Sequence, residues 1–461
     1  MQKKSSWLLI LVIFLTLASC RDDLDDQIRT HSVSDTQNFV YDAMQLFYLY
    51  KAEKEVLGDN FFQNIGEREA YLSRFDSPES LFEDLVYSKD RFSIIVSDFH
   101  ELENQLDGIS LNNGMDYGLV RISESGEVLG YVRYVLPGTS AEEAGLQRGM
   151  LFNRIDGVKI DEHNYRDILS PTRYKLGLVT YQNGRLEEGG EIELQKKEYT
   201  ENPIYMDTIY TVSNRKVGYL VYNAFTQSFD QDLNDVFGKF KAEHIQSLVI
   251  DLRYNGGGSV ETSKNLAGMV TGQFTGKLFV KEVFNDNFPD EDLLFSNQLK
   301  GGQPLNSLNL DKVYVLTTKS TASASELLVN ALRPYIDVVQ VGDYTTGKFQ
   351  GSIMLYESPD FSRSAVQPGH SYALLPLILK TVNADGYTDY TDGLTPDIKQ
   401  EEDILHLGEL GRTDEPLLQL ALQDMTGAAP LLSRQTRAVN NFEFIGERKE
   451  GQLTYRQMIA R

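Results

Sequence analysis

One short stretch places several hydroxyl groups where a helix is predicted to begin, and hydroxyls are groups that can do chemistry. Residues 320–328 read STASASELL, in which small side chains surround three serines just before an apolar run. Small neighbours leave room for a substrate to approach a hydroxyl. The letters from Ser323 to Glu326 also fit S-x-x-E, a capping box that satisfies free N–H groups at a helix start. Taken in isolation, this stretch favours capping over catalysis.

A lysine 25 residues after Ser323 is a candidate base for one of these hydroxyls. Gly342 to Lys348 spell G-x-x-x-x-G-K, but a phosphate-binding loop needs Ser or Thr next and then a helix. Phe349 follows here, and FQGSIMLYE is typical of a strand, so phosphate binding is not expected. A neutral lysine can take the proton of a serine, and burial lowers a lysine pKa by several units from about 10.4. The alternative is a surface lysine on a turn.

Histidine is the more usual base for a serine nucleophile. None of the six histidines stands in either motif; they are His31, His100, His163, His244, His370 and His406. A Ser–His hydrolase that uses His370 stays open as an alternative.

The serine and lysine motifs, taken as a pair, resemble the C-terminal processing proteases of peptidase family S41. Matching segments also occur at residues 251–258 (DLRYNGGG) and 393–397 (GLTPD), in the order expected for that family. The resemblance covers most of residues 36–425. It implies that Ser323, rather than Ser320 or Ser325, is the nucleophile and that Lys348 is the general base.

The resemblance also assigns supporting roles around the nucleophile. Backbone N–H groups must stabilise the oxyanion that forms on attack. Ala324 is expected to supply one of them, and the glycine turn the other, with Gly257 favoured and Gly256 next. Glu326 is expected to cap the helix and support the site, without acting as the base. No metal or cofactor is implied.

Two positions depart from the family pattern. Pro334, with Asp337 nearby, stands where family members often carry an acidic residue on the helix of the nucleophile. Many members also have K-G-x-x-Q after the lysine, whereas here the glutamine comes early as Gln350 and Ser352 takes the later position. These changes put the surroundings of the lysine in doubt, but not the Ser–Lys pair.

The elements around these motifs predict a multidomain α/β protein. Residues 201–428 alternate strand, turn and helix patterns and predict a layered α/β catalytic core, which the resemblance implies is crotonase/ClpP-like. Residues 36–112 predict a small N-terminal helical domain. Residues 429–461 have weak periodicity and predict a flexible C-terminal tail.

Residues 113–200 alternate short β-rich runs with Gly and Pro turns, and Asp156-Gly157 predicts a hairpin. The order of elements resembles a PDZ domain of the bacterial protease type. In that family the C-terminus of a peptide adds as a strand to an exposed edge, with its carboxylate held by backbone N–H groups. Tyr117, Gly118 and Leu119 are the candidate carboxylate loop. A small β domain without a ligand is the alternative.

The N-terminus predicts export. Residues 1–19 carry two lysines and then a short apolar run, which suits a signal peptide. Cys20, the only cysteine, ends LASC and resembles a bacterial lipobox, which implies a lipid anchor there. The acidic residues of the tether, 20–35, resemble surface-export signals of some Bacteroidota lipoproteins. The expected location is the outer membrane, on its periplasmic face or on the cell surface.

The net charge of −23, with no basic cluster, argues against nucleic-acid partners. The expected partners are protein or peptide substrates with accessible C-terminal tails, together with the membrane that holds the lipid. The sequence therefore predicts a serine endopeptidase that uses a Ser323–Lys348 dyad and an acyl-enzyme. The alternative is a catalytically inactive binding lipoprotein that uses the PDZ domain.

Overall fold

The computed structural model describes residues 33–182, 185–427 and 442–460. The predicted signal peptide (1–19), Cys20 and most of the predicted tether (20–35) lie outside the described residues. No helix within the described ranges is long and apolar enough to cross a membrane.

The helices of the described residues are α1 (Val33–Phe47), α2 (Ile65–Leu72), α3 (Pro78–Leu85), α4 (Phe99–Leu106), α5 (Ser140–Glu143), α6 (Tyr165–Leu169), α7 (Asp230–Ala242), α8 (Val260–Val270), α9 (Ala324–Leu332) and α10 (Pro416–Thr426). The first half of the strands comprises β1 (Ile94–Val96), β2 (Ile109–Asn112), β3 (Met115–Ile122), β4 (Val128–Val135), β5 (Leu151–Ile155), β6 (Val158–Lys159), β7 (Arg173–Gln182), β8 (Arg185–Gln195), β9 (Lys197–Thr200), β10 (Ile204–Val212), β11 (Arg215–Tyr222) and β12 (Ser247–Asp251). The second half comprises β13 (Gly258–Ser259), β14 (Leu278–Phe284), β15 (Glu291–Leu294), β16 (Lys312–Thr317), β17 (Asp337–Gly342), β18 (Gln350–Ser352), β19 (Leu355–Tyr356), β20 (Ala373–Leu375), β21 (Leu377–Val382), β22 (Ile398–Lys399), β23 (Phe442–Glu447) and β24 (Met458–Ile459).

A six-stranded sheet in the order β10-β11-β12-β16-β17-β22 forms the centre of the α/β region. Its strands are parallel except for the first pair. Alternate residues of β12 and β16 pack into different cores: Ile250 and Val315 face the core that contains helices α7 to α9, whereas Val249 and Leu316 face the core that contains α10. Burial on both faces explains why these strands read as continuous apolar runs.

Parallel neighbours β12, β16 and β17 end at the same edge of this sheet. The glycine turn follows β12, the serine stretch follows β16, and the lysine loop follows β17. The topology therefore brings together three segments that are up to about 90 residues apart, at the edge where α/β proteins place their ligands.

Strands of residues 113–200 form a separate sheet together with β23 from the C-terminal segment, in the order β23-β3-β4-β5-β7-β8, and β6 pairs with β5. The predicted hairpin between β5 and β6 is confirmed, because Asp156 and Gly157 both have positive φ, at 49° and 78°. Tyr117, Gly118 and Leu119 do not form a loop: they lie inside β3 and pair with β4 on one side. The prediction of a carboxylate loop at these residues is therefore wrong in its backbone conformation.

The C-terminal residues 442–460 carry strands rather than a flexible tail. β23 pairs antiparallel with the other side of β3, and β24 pairs with β13 and β18. The edge that was predicted to be exposed for a peptide is thus covered by the chain itself. The prediction of a flexible tail over 429–461 is wrong for residues 442–460.

The N-terminal helices pack against the α/β region. α1 and α3 share one apolar cluster with Leu355, Leu374 and Leu377, which belong to β19, β20 and β21. Residues 90–94 run past the lysine loop: Phe92 belongs to the same cluster, and Arg91 donates a hydrogen bond to the Gly347 carbonyl at 3.2 Å. The N-terminal region therefore forms one wall of the site described next.

Candidate active site

The Ser323 turn has the geometry of a strained link between a strand and a helix. Ser323 immediately precedes α9 with φ 63° and ψ −118°, a conformation that residues other than glycine rarely adopt. Such a conformation costs about 1–3 kcal/mol and persists at functional sites where the surroundings impose it. The Ser323 side chain is buried, and its hydroxyl makes no hydrogen bond to any described residue.

The two neighbouring serines are bonded to the framework. Ser320 donates to Glu447 at 2.7 Å, and Ser325 donates to the Asn255 carbonyl at 3.1 Å. Of the three serines in the stretch, only Ser323 keeps its hydroxyl without a protein partner among the described residues. This agrees with the choice of Ser323 over Ser320 and Ser325.

Glu326 joins the serine turn to the lysine loop. One carboxylate oxygen accepts from the backbone N–H groups of Ser323 (2.7 Å) and Lys348 (2.8 Å), so these two nitrogens are at most 5.5 Å apart. The other oxygen accepts from the Gly347 N–H at 2.7 Å and from the Thr345 hydroxyl. Burial raises the pKa of Glu326, and these hydrogen bonds oppose the rise. The predicted capping and supporting role matches these contacts.

Lys348 is a buried amine without a counterion in the described part of the chain. Its side chain is inaccessible to solvent, and no carboxylate within the described ranges lies at salt-bridge distance from it. Its Nζ donates to Gln457 Oε1 at 3.0 Å and lies 4.7 Å from the centre of the Phe92 ring. Burial lowers the pKa of Lys348 to about 7, and the more distant charges of Asp90 and Glu326 offset only part of that shift.

The serine and the lysine come together, but their reacting atoms are not hydrogen-bonded here. The Ser323 hydroxyl has no protein partner in the described part of the chain, and the hydrogen bond of the Lys348 amine goes to Gln457. Catalytic hydrogen bonds are often long without substrate and shorten when it binds. The arrangement places an amine with a pKa of about 7 and a serine hydroxyl without a partner among the described residues on adjoining loops, and such a pair can perform nucleophilic catalysis.

The glycine turn after β12 packs directly on the nucleophile. A Cβ at Gly257, where φ is 108°, would lie 2.5 Å from the Ser323 Cβ, so only glycine fits. The Gly257 N–H, however, donates to the Asn255 side chain at 2.9 Å. In this structure Gly257 is therefore not the free donor that the sequence favoured, and Gly256, next in the prediction, takes its place as the candidate.

Other predicted residues lie elsewhere. Gln350 donates to the Tyr50 hydroxyl at 2.8 Å and faces the N-terminal region instead of the lysine. The Nδ1 atom of His370 lies 2.9 Å from Glu357, which also accepts from Thr36. The alternative base thus belongs to a different cluster.

Sequence reasoning missed Phe92 and Gln457. They lie 256 residues before and 109 residues after Lys348, in segments for which the sequence predicted helical packing and a tail. No local motif marks either residue. Only the pairing of β24 beside β18 could have located Gln457, and β24 is two residues long.

The chain matches two family models. Residues 216–400 match the model described as peptidase family S41, and residues 35–94 match the one described as the peptidase S41 N-terminal domain. A carboxyl-terminal-processing protease of a Picosynechococcus strain is 27% identical over 268 residues, which is 54% of this chain and 61% of that protein. Carboxy-terminal processing protease CtpA of Bacillus subtilis is 22% identical and aligns over 80% of this chain and 69% of its own length.

Two solved structures of proteases are also similar to this chain. A Bacteroides fragilis NCTC 9343 protein, provisionally described as an S41 protease, has a TM-score of 0.67 and 27% identity, covering 85% of this chain and 97% of that one. The photosystem II D1 C-terminal processing protease has a TM-score of 0.52 at 19% identity with the same coverage, which shows a shared fold. The chain spans less than two thirds of the first curated relatives, 61% of the Picosynechococcus protein and 41% of chloroplastic carboxyl-terminal-processing peptidase 3 of Arabidopsis thaliana.

Proposed function

We propose that this chain, which belongs to the serine-type peptidase family S41, is an endopeptidase whose Ser323–Lys348 dyad hydrolyses peptide bonds of protein substrates. The observation that carries the proposal is the buried Lys348 amine, whose pKa is lowered to about 7 and whose loop is tied to the serine turn by Glu326. A base with a pKa near the working pH combines the right protonation state with a useful driving force.

In the first half of the reaction, Lys348 Nζ takes the hydroxyl proton of Ser323 while the oxygen attacks the peptide carbonyl. The protonated amine then gives this proton to the leaving nitrogen, and an acyl-enzyme forms. In the second half, Lys348 takes a proton from water, the hydroxide attacks the ester, and the proton returns to Ser323. Each half uses one base and leaves it neutral again.

The oxyanion needs two donors about 3 Å from the developing charge. Ala324 is the first residue of α9, so its N–H points out of the helix start. Gly256 supplies the second donor, because its neighbour Gly257 is bonded to Asn255. Bulk at Ala324 would block the substrate chain, which accounts for the small residues around the nucleophile.

The decisive experiment compares wild type with Ser323→Ala and Lys348→Ala on unfolded protein substrates that differ in their C-terminal tails. The proposal expects cleavage by wild type alone. Cleavage that survives in Ser323→Ala rejects Ser323 as the nucleophile, and cleavage that survives in Lys348→Ala but not in His370→Ala restores the Ser–His alternative.

An inactive binding protein is the second candidate, and the missing hydrogen bond between Ser323 and Lys348 is the observation that favours it. A fluorophosphonate probe separates the two functions. Labelling that is lost in Ser323→Ala supports the enzyme, whereas a wild-type protein that is never labelled supports the binder.

We also propose that the PDZ-like region 113–200 binds substrate C-terminal tails at the outer edge of β3. The pairing of β23 with this edge supports binding by strand addition, since a peptide strand added there would make the same antiparallel contacts. The adjoining cleft of about 670 Å³, lined by Tyr117, Tyr165 and Tyr174, offers apolar surface for side chains. A tail must therefore compete with residues 442–447.

Weakening β23 tests this competition. Ile445 packs against the apolar core of region 113–200. In an inactive Ser323→Ala background, Ile445→Asp is expected to tighten binding of a fluorescent C-terminal peptide, and Glu187→Ala, an exposed change on β8 of the same region, is the control. Equal affinity in both variants would place the peptide elsewhere.

Export and lipid attachment at Cys20 complete the proposal, with an anchor in the outer membrane on its periplasmic face or on the cell surface. The lone cysteine at the end of a short apolar run is its support. Metabolic labelling with an alkyne fatty acid should mark wild type and not Cys20→Ser. Equal labelling of both would reject the anchor.

A further inference from the structure

The last described segment of the chain reaches into the catalytic machinery. β24 lies between β13 and β18, with Met458 beside Gly258 and Ile459 beside both Ser259 and Ser352. The Gly258 N–H donates to the Gln457 carbonyl at 2.9 Å, and the Ala460 N–H donates to the Ser352 carbonyl at 2.9 Å. The segment therefore links the strand after the glycine turn to the strand after the lysine, and Gln457 precedes this link.

Both polar atoms of the Gln457 side-chain amide are hydrogen-bonded. Its Nε2 donates to the Phe92 carbonyl at 2.9 Å, and its Oε1 accepts from Lys348 Nζ at 3.0 Å. A carbonyl can only accept, so the bond to Phe92 fixes the amide with its oxygen toward the lysine. The side chain is buried, with 2% of the residue exposed.

An amide oxygen suits this position chemically. A neutral amine that donates one hydrogen to Gln457 keeps its lone pair free for the proton of Ser323. A carboxylate in the same place would stabilise the ammonium form and remove the base at neutral pH. A neutral acceptor thus orients the amine without charging it.

We propose that Gln457 is a positioning residue of the catalytic dyad, supplied to Lys348 from a strand at the C-terminal end of the chain. This inference rests on the proposed Ser–Lys function. Gln350 and Ser352, which are close to the lysine in sequence, do not hold its amine. Gln350 donates to Tyr50, and the Ser352 hydroxyl has no partner within the described ranges. Gln457 therefore takes the role of orienting the amine.

A charge placed on this position is the sharpest test. Gln457→Glu keeps the shape of the side chain and places a carboxylate about 3 Å from the Lys348 amine. A carboxylate at this distance should raise the pKa of Lys348 by one unit or more. The acidic limb of kcat/KM should therefore move up by at least one pH unit, with activity reduced roughly tenfold at pH 7 and recovered near pH 9. Gln452→Glu adds the same charge to the same segment without a contact to Lys348 and should leave the limb in place.

A second readout does not depend on catalysis. In the Ser323→Ala background, the NMR chemical shift of the Lys348 side-chain Cε in protein with labelled lysines, assigned with Lys348→Met and followed over several pH values, reports the protonation of this buried amine directly. The Gln457→Glu change should shift this curve upward by one unit or more, while Gln452→Glu should not. If Gln457→Glu does not fold, Gln457→Met should lower kcat at least tenfold with KM unchanged.

The outcomes are distinct. An unshifted NMR titration curve and an unshifted acidic limb in folded Gln457→Glu overturn the positioning role. An NMR titration curve that shifts in a protein that cleaves no peptide rejects the proposed function while the Gln457–Lys348 contact stands. A Gln457→Met variant with wild-type kcat overturns the positioning role as well.

Discussion

Two buried cationic sites follow β12 and β17, which belong to the same sheet and are separated by β16, and their charges are arranged in opposite ways. We call them the lysine pocket (Phe92, Lys348, Gln457) and the arginine cluster (Arg148, Asp251, Arg253, Glu402, Glu415). Arg253 and Lys348 are both almost inaccessible to solvent. Arg253 meets three carboxylates, whereas Lys348 meets an amide oxygen and an aromatic ring.

The pKa values of the two sites diverge accordingly. Burial alone would lower the pKa of Arg253, but the carboxylates of Asp251 and Glu415 raise it well above its ordinary value. Burial alone would raise the pKa of Glu402, but Arg148 and Arg253 hold it at about 2. In the lysine pocket burial prevails, and the pKa of Lys348 falls to about 7. Burial therefore lowers the pKa of a cationic side chain enough to make it a base only where no carboxylate lies at salt-bridge distance.

The largest effect should come from removing the amine. Lys348→Met keeps the stem in its apolar pocket and deletes the base, so kcat/KM should fall by roughly 10²- to 10⁴-fold. Steady-state kinetics on a quenched peptide measures this loss. Lys319→Met removes an exposed lysine from the same neighbourhood and should retain activity. A Lys348→Met enzyme with activity near wild type would mean that the pocket holds no base.

Breaking the arginine cluster should cost stability more than chemistry. Arg253→Met leaves Asp251, Glu402 and Glu415 buried with Arg148 as their only cation in the cluster. Breaking a buried pair in this way costs about 3–5 kcal/mol in the free energy of unfolding. Urea denaturation provides the measurement, and Arg253→Lys, which keeps the charge, should lose less. Equal stability of Arg253→Met and wild type would remove the contrast between the two sites.

The dependence of stability on pH should distinguish the lysine pocket. Between about pH 7 and 10, the folded Lys348 amine is neutral while the unfolded amine is protonated, so the unfolded chain binds one more proton. Stability therefore rises with pH, by about 1.4 kcal/mol per unit from this group, relative to Lys348→Met. Urea unfolding of both proteins at pH 7.5, 8.5 and 9.5 tests the slope. Parallel curves would show that the amine is charged when folded.

The smallest effect is expected at an exposed ion pair. Lys216 and Glu243 lie 2.8 Å apart with about half of each side chain exposed. Solvent screens such pairs, so Lys216→Ala should leave both activity and the urea midpoint unchanged within error. A marked fall in the urea midpoint of Lys216→Ala would show that an exposed ion pair can stabilise this protein as strongly as a buried one.

Features that depend on nearby residues were predictable from the sequence. Motifs that resemble those of family S41 single out Ser323 and Lys348 as candidates, and apolar runs mark the buried strands before them, whose parallel pairing brings both motifs to one edge. The Asp156-Gly157 hairpin and the capping role of Glu326 also depend on nearby residues. Such features leave a pattern within a few residues.

Residues whose roles depend on distant pairing were not predictable. Gln457 reaches the lysine through a two-residue strand, and the edge of β3 is covered by residues more than 300 positions later. Short strands carry too few residues for a period of two to show. The sequence also could not show that the Gly257 N–H donates to the Asn255 side chain, because no pattern specifies the orientation of that side chain.

If neutral Lys348 activates Ser323, the rate at which a fluorophosphonate modifies Ser323 must follow the deprotonation of Lys348 as the pH rises. A fluorophosphonate should modify Ser323, identified by peptide mass, at a rate that rises about tenfold per pH unit and levels off near pH 7 in wild type, and that is lost in Lys348→Met. Modification of wild type and Lys348→Met at equal rates, or a limb that continues to rise toward pH 10, would contradict the account.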